Sequence, residues 1–97
     1  DLDHLDALWP YISTVQFNDG TIESLMPDDL LQDCLVNRMV PGQGEFALAE
    51  LVRQRNIHRP DSTFSIEVIS SALQQQDSFT TAQQIADGIK AVLAASR

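Results

Sequence analysis

The alternation of apolar and polar positions predicts two short strands in the chain. Residues 12–17, ISTVQF, are rich in β-branched and aromatic side chains and stop at the turn sequence NDG. Residues 64–70, FSIEVIS, alternate apolar and polar side chains. Each strand therefore has a more apolar face, which we expect to meet helices, and a more polar face on the other side.

Apolar side chains at helical spacing predict four helical segments around these strands. They are a helix end over residues 3–11 closed by Pro10, a short helix over residues 27–36, a helix over residues 46–56, and a long final helix capped by Thr80. Trp9 and Phe79 fall at core spacing, so we expect both to be buried. A loop over residues 37–45, NRMVPGQGE, separates the second and third helices.

The order of the elements predicts the fold class. Strands separated by helical crossovers pair in parallel, which gives an α/β fold. Two parallel strands need further neighbours, and a complete TIM (β/α)₈ barrel has about 250 residues. The chain has 97 residues and begins at Asp1 within an amphipathic segment. We therefore expect residues 1–97 to form a single segment that supplies about a quarter of such a barrel.

Composition and charge exclude several classes of partner. Fourteen acidic residues against six basic ones give a formal net charge of -8, which argues against nucleic acid. No apolar run is long enough for a membrane span, and no signal-peptide layout is present, so a cytoplasmic protein is expected. The single Cys34 allows neither an intrachain disulfide nor a thiolate zinc site.

Two oxygen-bearing side chains fall on the polar faces of the predicted strands. Gln16 lies near the end of the first strand, and Glu67 lies on the second. In a barrel, ligands bind at the C-terminal ends of the strands, so both side chains would point inward near the same rim. Oxygen donors favour Mg²⁺ or Mn²⁺. The pattern therefore predicts a shared divalent-cation site.

The three runs VQFNDG, NRMVPGQGEF and FSIEVIS, in this order, resemble the C-terminal portion of the sugar phosphate isomerase/epimerase family, the xylose isomerase-like TIM barrels. The resemblance covers essentially the whole chain. It implies the C-terminal part of the barrel, about the last two strand-helix units. It also implies a metal-dependent isomerase, epimerase or dehydratase that acts on a small sugar or other hydroxy-carbonyl substrate.

The resemblance implies metal and catalytic roles for the same two side chains. Glu67 matches the metal-binding glutamate of the last strand, and its carboxylate is expected either to bind the metal or to move the proton next to the carbonyl. Gln16 stands where many members have a metal-binding His, and a Gln at this position resembles the hydroxypyruvate isomerase-type branch. The family's other ligands, a Glu and an Asp or His, belong to earlier strands outside this sequence. The isolated segment is therefore expected to be inactive.

The loop residues have both chemical and structural interpretations. Arg38 matches the arginine that contacts substrate oxygens, and pairing with Asp33 is the alternative. Asn18 and Asp19 are expected mainly to form a turn, and contact with the substrate is the second interpretation of these two residues. Glu45 lies in the Gly-Glu turn of the family, but its place before a helix favours capping over chemistry.

Two other functions compete with the isomerase hypothesis. A non-catalytic interaction module would bury its apolar faces by forming a homo-oligomer or by docking onto a partner. An endonuclease of the same superfamily would need several metal-binding His residues and basic DNA-facing loops, which this acidic sequence lacks. In the leading hypothesis the partner is the remainder of the barrel.

Overall fold

The computed structural model describes residues 2–97, and in this part of the chain two strands form a parallel pair. Strand β1 is Thr14–Phe17 and strand β2 is Thr63–Ile66, with Thr14 opposite Thr63. The connection between the strands carries helices, as a parallel pair requires. The predicted mixed α/β architecture with parallel pairing is confirmed.

Both strands are shorter than predicted, and β2 ends for a visible reason. The N–H of Glu67 donates to the carbonyl of Phe17 at 3.0 Å, and β1 ends at that residue. Beyond this point β2 has no strand partner. The chain instead meets the loop after the first α-helix, where the N–H of Arg38 donates to the carbonyl of Ile69 at 3.2 Å.

Residues 2–97 contain two short 3₁₀ helices and four α-helices. They are the 3₁₀ helices Leu2–Leu5 and Trp9–Tyr11, α1 (Leu30–Val36), α2 (Leu48–His58), α3 (Ser71–Gln74) and α4 (Ser78–Ala95). The sequence did not predict α3. Its N-cap is Ser70, whose hydroxyl accepts from the N–H of Leu73 at 3.4 Å.

The prediction of one helix end over residues 3–11 is wrong, because two separate 3₁₀ helices occupy this stretch. Pro10 falls in the first turn of the second 3₁₀ helix. Proline has no N–H to donate, so a continuous α-helix is disfavoured here. Trp9 is buried, as predicted, and its ring stacks on His58 at the end of α2, with the ring centroids 5.8 Å apart.

The core lies between one face of the sheet and the helices α2 and α4. Phe17 of β1 packs there with Val52 of α2 and Val92 of α4. The ring of Phe64 meets the ring of Phe17 edge-on, with centroids 5.5 Å apart. The predicted apolar faces of both strands therefore meet the helices, while Gln16 lies on the opposite, exposed face.

The predicted start of the final helix is wrong by almost one turn. Asp77 is the N-cap of α4, and its carboxylate accepts from the N–H of Thr80 at 2.9 Å. Aspartate caps a helix at least as well as threonine, so the helix begins before the predicted cap. Phe79 then falls in the exposed first turn, where it is 79% exposed rather than buried.

Candidate functional site

The two predicted metal ligands lie on the same face of the sheet, at the C-terminal ends of its strands. Gln16 is opposite Ser65, and Glu67 follows two positions after Ser65. Side chains two positions apart on an extended chain point to the same side, so Gln16 and Glu67 are diagonal neighbours. Both are exposed, and neither side chain forms a hydrogen bond to another of the residues 2–97.

These two side chains fit part of a hard-cation site. Both offer an oxygen donor, as Mg²⁺ and Mn²⁺ prefer. No cluster of three or more His, Cys, Asp or Glu suited to a metal ion occurs in the described part of the chain. Since Mg²⁺ takes about six ligands, Gln16 and Glu67 would have to be joined by other protein ligands, water or substrate.

Arg38 lies beside the end of β2 and is half-buried. Its Nε donates to the carbonyl of Cys34 in α1 at 2.9 Å, while its backbone N–H is bound to Ile69. The alternative of an ion pair with Asp33 is not seen among the described residues. The two terminal nitrogens of the guanidinium have no hydrogen-bond partner among residues 2–97, so they are free to bind an anion or a hydroxyl group.

Asp33 instead organises the chain before and after α1. Its carboxylate accepts from the hydroxyl of Ser24 and from the side-chain amide of Asn37, both at 2.6 Å. The Ser24 hydroxyl and then the Asn37 amide hold the pKa of Asp33 below its ordinary value, because both donate to the charged form. The sequence analysis did not identify Ser24 or Asn37, although the four-residue spacing from Asp33 to Asn37 in a helix was a usable signal.

The predicted turn at Asn18 and Asp19 is wrong, because Asp19 forms an isolated antiparallel bridge with Met39 in the segment after β1. Asp19 is only 2% exposed. One carboxylate oxygen accepts from the N–H groups of Gly20 at 2.9 Å and Phe46 at 3.1 Å, and the other accepts from Gly42 at 2.8 Å. The backbone of Asp19 also pairs with Met39 through two hydrogen bonds of 2.9 Å. Both oxygens are therefore engaged with the protein's own backbone.

Glu45 does not cap a helix, so the capping prediction is wrong. The N-cap of α2 is Ala47, and no side chain bonds to this helix start. The carboxylate of Glu45 accepts instead from the N–H of Ile22 at 2.8 Å, across the loop. Its N–H donates to the carbonyl of Gly20, also at 2.8 Å. Glu45 thus fastens the loop before α2 to the segment after β1.

A surface depression of about 380 Å³ lies between the segment after β1 and α1. Asn18 and Arg38, the two predicted substrate-binding residues, both line it, together with Thr21 and Asn37. Gln16 and Glu67 are not among its lining residues. The structure therefore brings the predicted substrate contacts together and leaves the predicted metal ligands beside them on the sheet.

Comparison with models of protein families, with curated proteins and with solved structures finds no match to this chain. None of the helices in residues 2–97 combines the length and the apolar character needed to cross a bilayer. Arguments about function therefore depend on the residues at the C-terminal ends of β1 and β2.

Proposed function

We propose that the chain is the C-terminal part, about the last two strand-helix units, of a TIM barrel of the sugar phosphate isomerase/epimerase type. The complete protein would be a divalent-metal-dependent isomerase or epimerase. Its substrate would be a small polyhydroxy carbonyl compound, and the reaction would transfer a proton next to the carbonyl. A dehydratase using the same groups is the closest variant of this proposal.

One observation carries the proposal. Two parallel strands present Gln16 and Glu67 on one polar face near their C-terminal ends, and Arg38 lies beside the end of the second strand. In parallel α/β folds, binding and catalytic groups gather at this end of the strands. Oxygen donors next to a guanidinium suit a substrate that has both a metal-binding carbonyl group and further oxygens.

The small sheet, with its uncovered polar face, supports the proposal of a barrel. Each strand has one strand neighbour within residues 2–97. Parallel sheets are covered on both faces in almost all proteins, because their connections place helices there. Here the face opposite the core is polar and exposed, and in the proposed barrel it would line the interior. It consists of Thr14, Gln16, Thr63, Ser65 and Glu67.

Each residue has a defined role in the proposed reaction. A bound Mn²⁺ or Mg²⁺ would polarise the carbonyl and neighbouring hydroxyl oxygens of the substrate. Glu67 and Gln16 would hold that ion through oxygen atoms. In the alternative role, the Glu67 carboxylate would take the proton from carbon, and Gln16 alone would remain as a ligand on this sheet. Arg38 would orient the substrate through its terminal nitrogens, and Asn18 would contact it from the end of β1.

The test uses the full-length protein and begins with Mn²⁺ alone. Isothermal titration should show Mn²⁺ binding that Glu67→Gln weakens by about tenfold or more. The matched control is Glu50→Gln on α2, whose carboxylate bonds to Arg53 and Gln54 away from the strand ends. Proton transfer is then measured as deuterium uptake from D₂O into aldoses, ketoses and hydroxy-keto acids. Normal Mn²⁺ binding and turnover in Glu67→Gln would refute the role of Glu67.

Exposed apolar side chains on and around α1 favour an interaction module as the second candidate. Leu30 is 63% exposed and Leu31 71%, and Ile22 in the preceding loop is 77% exposed. Apolar patches of this kind mark interfaces in many proteins. Under this second function the full-length protein would bind no Mn²⁺, and its unfolding midpoint would rise with protein concentration. Mn²⁺ binding with a concentration-independent midpoint would exclude it.

A further inference from the structure

The proposed reaction gives no role to Asp19, although its carboxylate is buried beside the site. An ionised carboxylate is costly to bury unless hydrogen bonds compensate for the lost water. The three N–H groups that bind it come from two segments, the segment after β1 and the loop that precedes α2. Asp19 therefore links Gly42 and Phe46 to a position 23 and 27 residues earlier in the chain.

We infer that Asp19 is a positioning residue, which holds the loop of residues 39–46 in place and thereby fixes the guanidinium of Arg38 at the strand ends. Arg38 is the residue immediately before this loop. Its neighbour Met39 is paired with the backbone of Asp19, and its own N–H is bound to Ile69 after β2. Arg38 is thus held between the ends of both strands. The inference rests on the proposed function only in assigning Arg38 to the substrate.

The loop of residues 39–46 requires a carboxylate at position 19, and another polar side chain would not replace it. Both oxygens of Asp19 accept hydrogen bonds, so an amide at this position would point an N–H group at a backbone N–H. The loop also lies very close to the backbone of the segment after β1. A Cβ on Gly44 would lie 2.5 Å from the carbonyl oxygen of Gly20. Gly42 has a φ of 88°, which side chains rarely allow.

The experiment compares Asp19→Asn with two controls in the full-length protein. Val52→Ala lowers stability through the core without touching the loop, and Asp87→Asn makes the same chemical change on the exposed surface of α4. Three quantities are measured: amide hydrogen exchange in residues 39–46, the rate at which phenylglyoxal modifies Arg38, and the Kd for Mn²⁺. Modification of the exposed Arg97 provides the internal reference.

We expect Asp19→Asn to increase the modification rate of Arg38 by about tenfold, with faster exchange at Gly42 and Phe46. The Kd for Mn²⁺ should not change, because Gln16 and Glu67 are placed by the sheet. Val52→Ala and Asp87→Asn should leave the relative rates of Arg38 and Arg97 as they are. A purely structural role would lower stability in Asp19→Asn without this selective effect.

The inference is overturned if Asp19→Asn and Val52→Ala give the same Arg38 modification and the same exchange pattern. Should Asp19→Asn not fold, Gly42→Ala strains the same loop with the carboxylate intact, and it must then expose Arg38 selectively or the inference fails. If the wild-type protein binds no Mn²⁺, the proposed function fails, whereas exchange and modification still decide whether Asp19 holds the loop.

Discussion

Replacing Gly88 with alanine should destabilise the protein, although alanine is the better helix former. Gly88 lies inside α4, and Gly→Ala at an open helical position adds about 1 kcal/mol of stability. Here a Cβ would lie 2.5 Å from the carbonyl oxygen of Pro41 and 2.6 Å from Cγ1 of Val40. Pro41 and Val40 are fully buried, so neither can move away easily.

The steric cost exceeds the gain in helix propensity. Adding a methyl group to a packed site costs about 1–3 kcal/mol. Contacts as short as these lie outside the range of normal Cβ contacts, and one of the two neighbouring atoms is backbone. The upper end of that range therefore applies. Subtracting the propensity gain leaves a net loss of about 2 kcal/mol in the free energy of unfolding.

Urea denaturation of the full-length protein measures this difference. The control is Ala82→Gly at an exposed position of the same helix, which reports the Ala–Gly propensity difference there and should cost about 1 kcal/mol. Both variants should therefore lower the urea midpoint, although one replaces glycine with alanine and the other replaces alanine with glycine. A Gly88→Ala protein as stable as the wild type, or more stable, would refute the close packing of α4 against Pro41.

Two further predictions concern helix capping and pH. Asp77→Ala should lower the melting temperature by about 4–8 °C through loss of the α4 cap, whereas Thr80→Ala should change it less. A larger effect of Thr80→Ala in thermal melts would contradict the assigned cap. Four carboxylates in the described part of the chain have lowered pKa values, so the unfolded state takes up protons first and stability should fall as the pH drops through and below about 4.5 to 3.8. Unchanged urea midpoints between about pH 5 and pH 3 would refute this dependence. The largest causes are hydrogen bonds from the side chains of Ser24 to Asp33, Gln54 to Glu50, Arg59 to Asp61 and Thr80 to Asp77.

The sequence predicts those parts of the fold that depend on local pattern. Period-two alternation identified the apolar face of each strand, because a buried side chain such as Phe17 must be followed by one that points the other way. The crossover between the strands predicted their parallel pairing. The helix boundaries were less accurate, since Asp77 and Thr80 are both good caps and the local sequence pattern does not decide between them.

The hydrogen bonds that connect the loops of the site could not be predicted from the local sequence pattern. The sequence NDG predicts a turn, but Asp19 instead pairs with Met39, and its side-chain partners Gly42 and Phe46 are also distant in sequence. The same applies to Glu45, where proximity to a helix suggested capping and the partner is Ile22. Long-range hydrogen bonds of this kind leave no periodic signal, because each depends on how two loops approach each other.

The loop connects the core to the proposed site. Pro41 and Gly42 pack against α4, since a Cβ on Gly42 would lie 3.5 Å from Cγ2 of the core residue Val92. On its other side the loop is bound by Asp19. A methyl group at Gly88 would push this loop from the helix side, toward the segment after β1. Gly88→Ala should therefore also increase the reactivity of Arg38, and it should do so without any change in the charge of the site. If Gly88→Ala lowers stability without increasing the reactivity of Arg38, the displacement of the loop does not extend to Arg38.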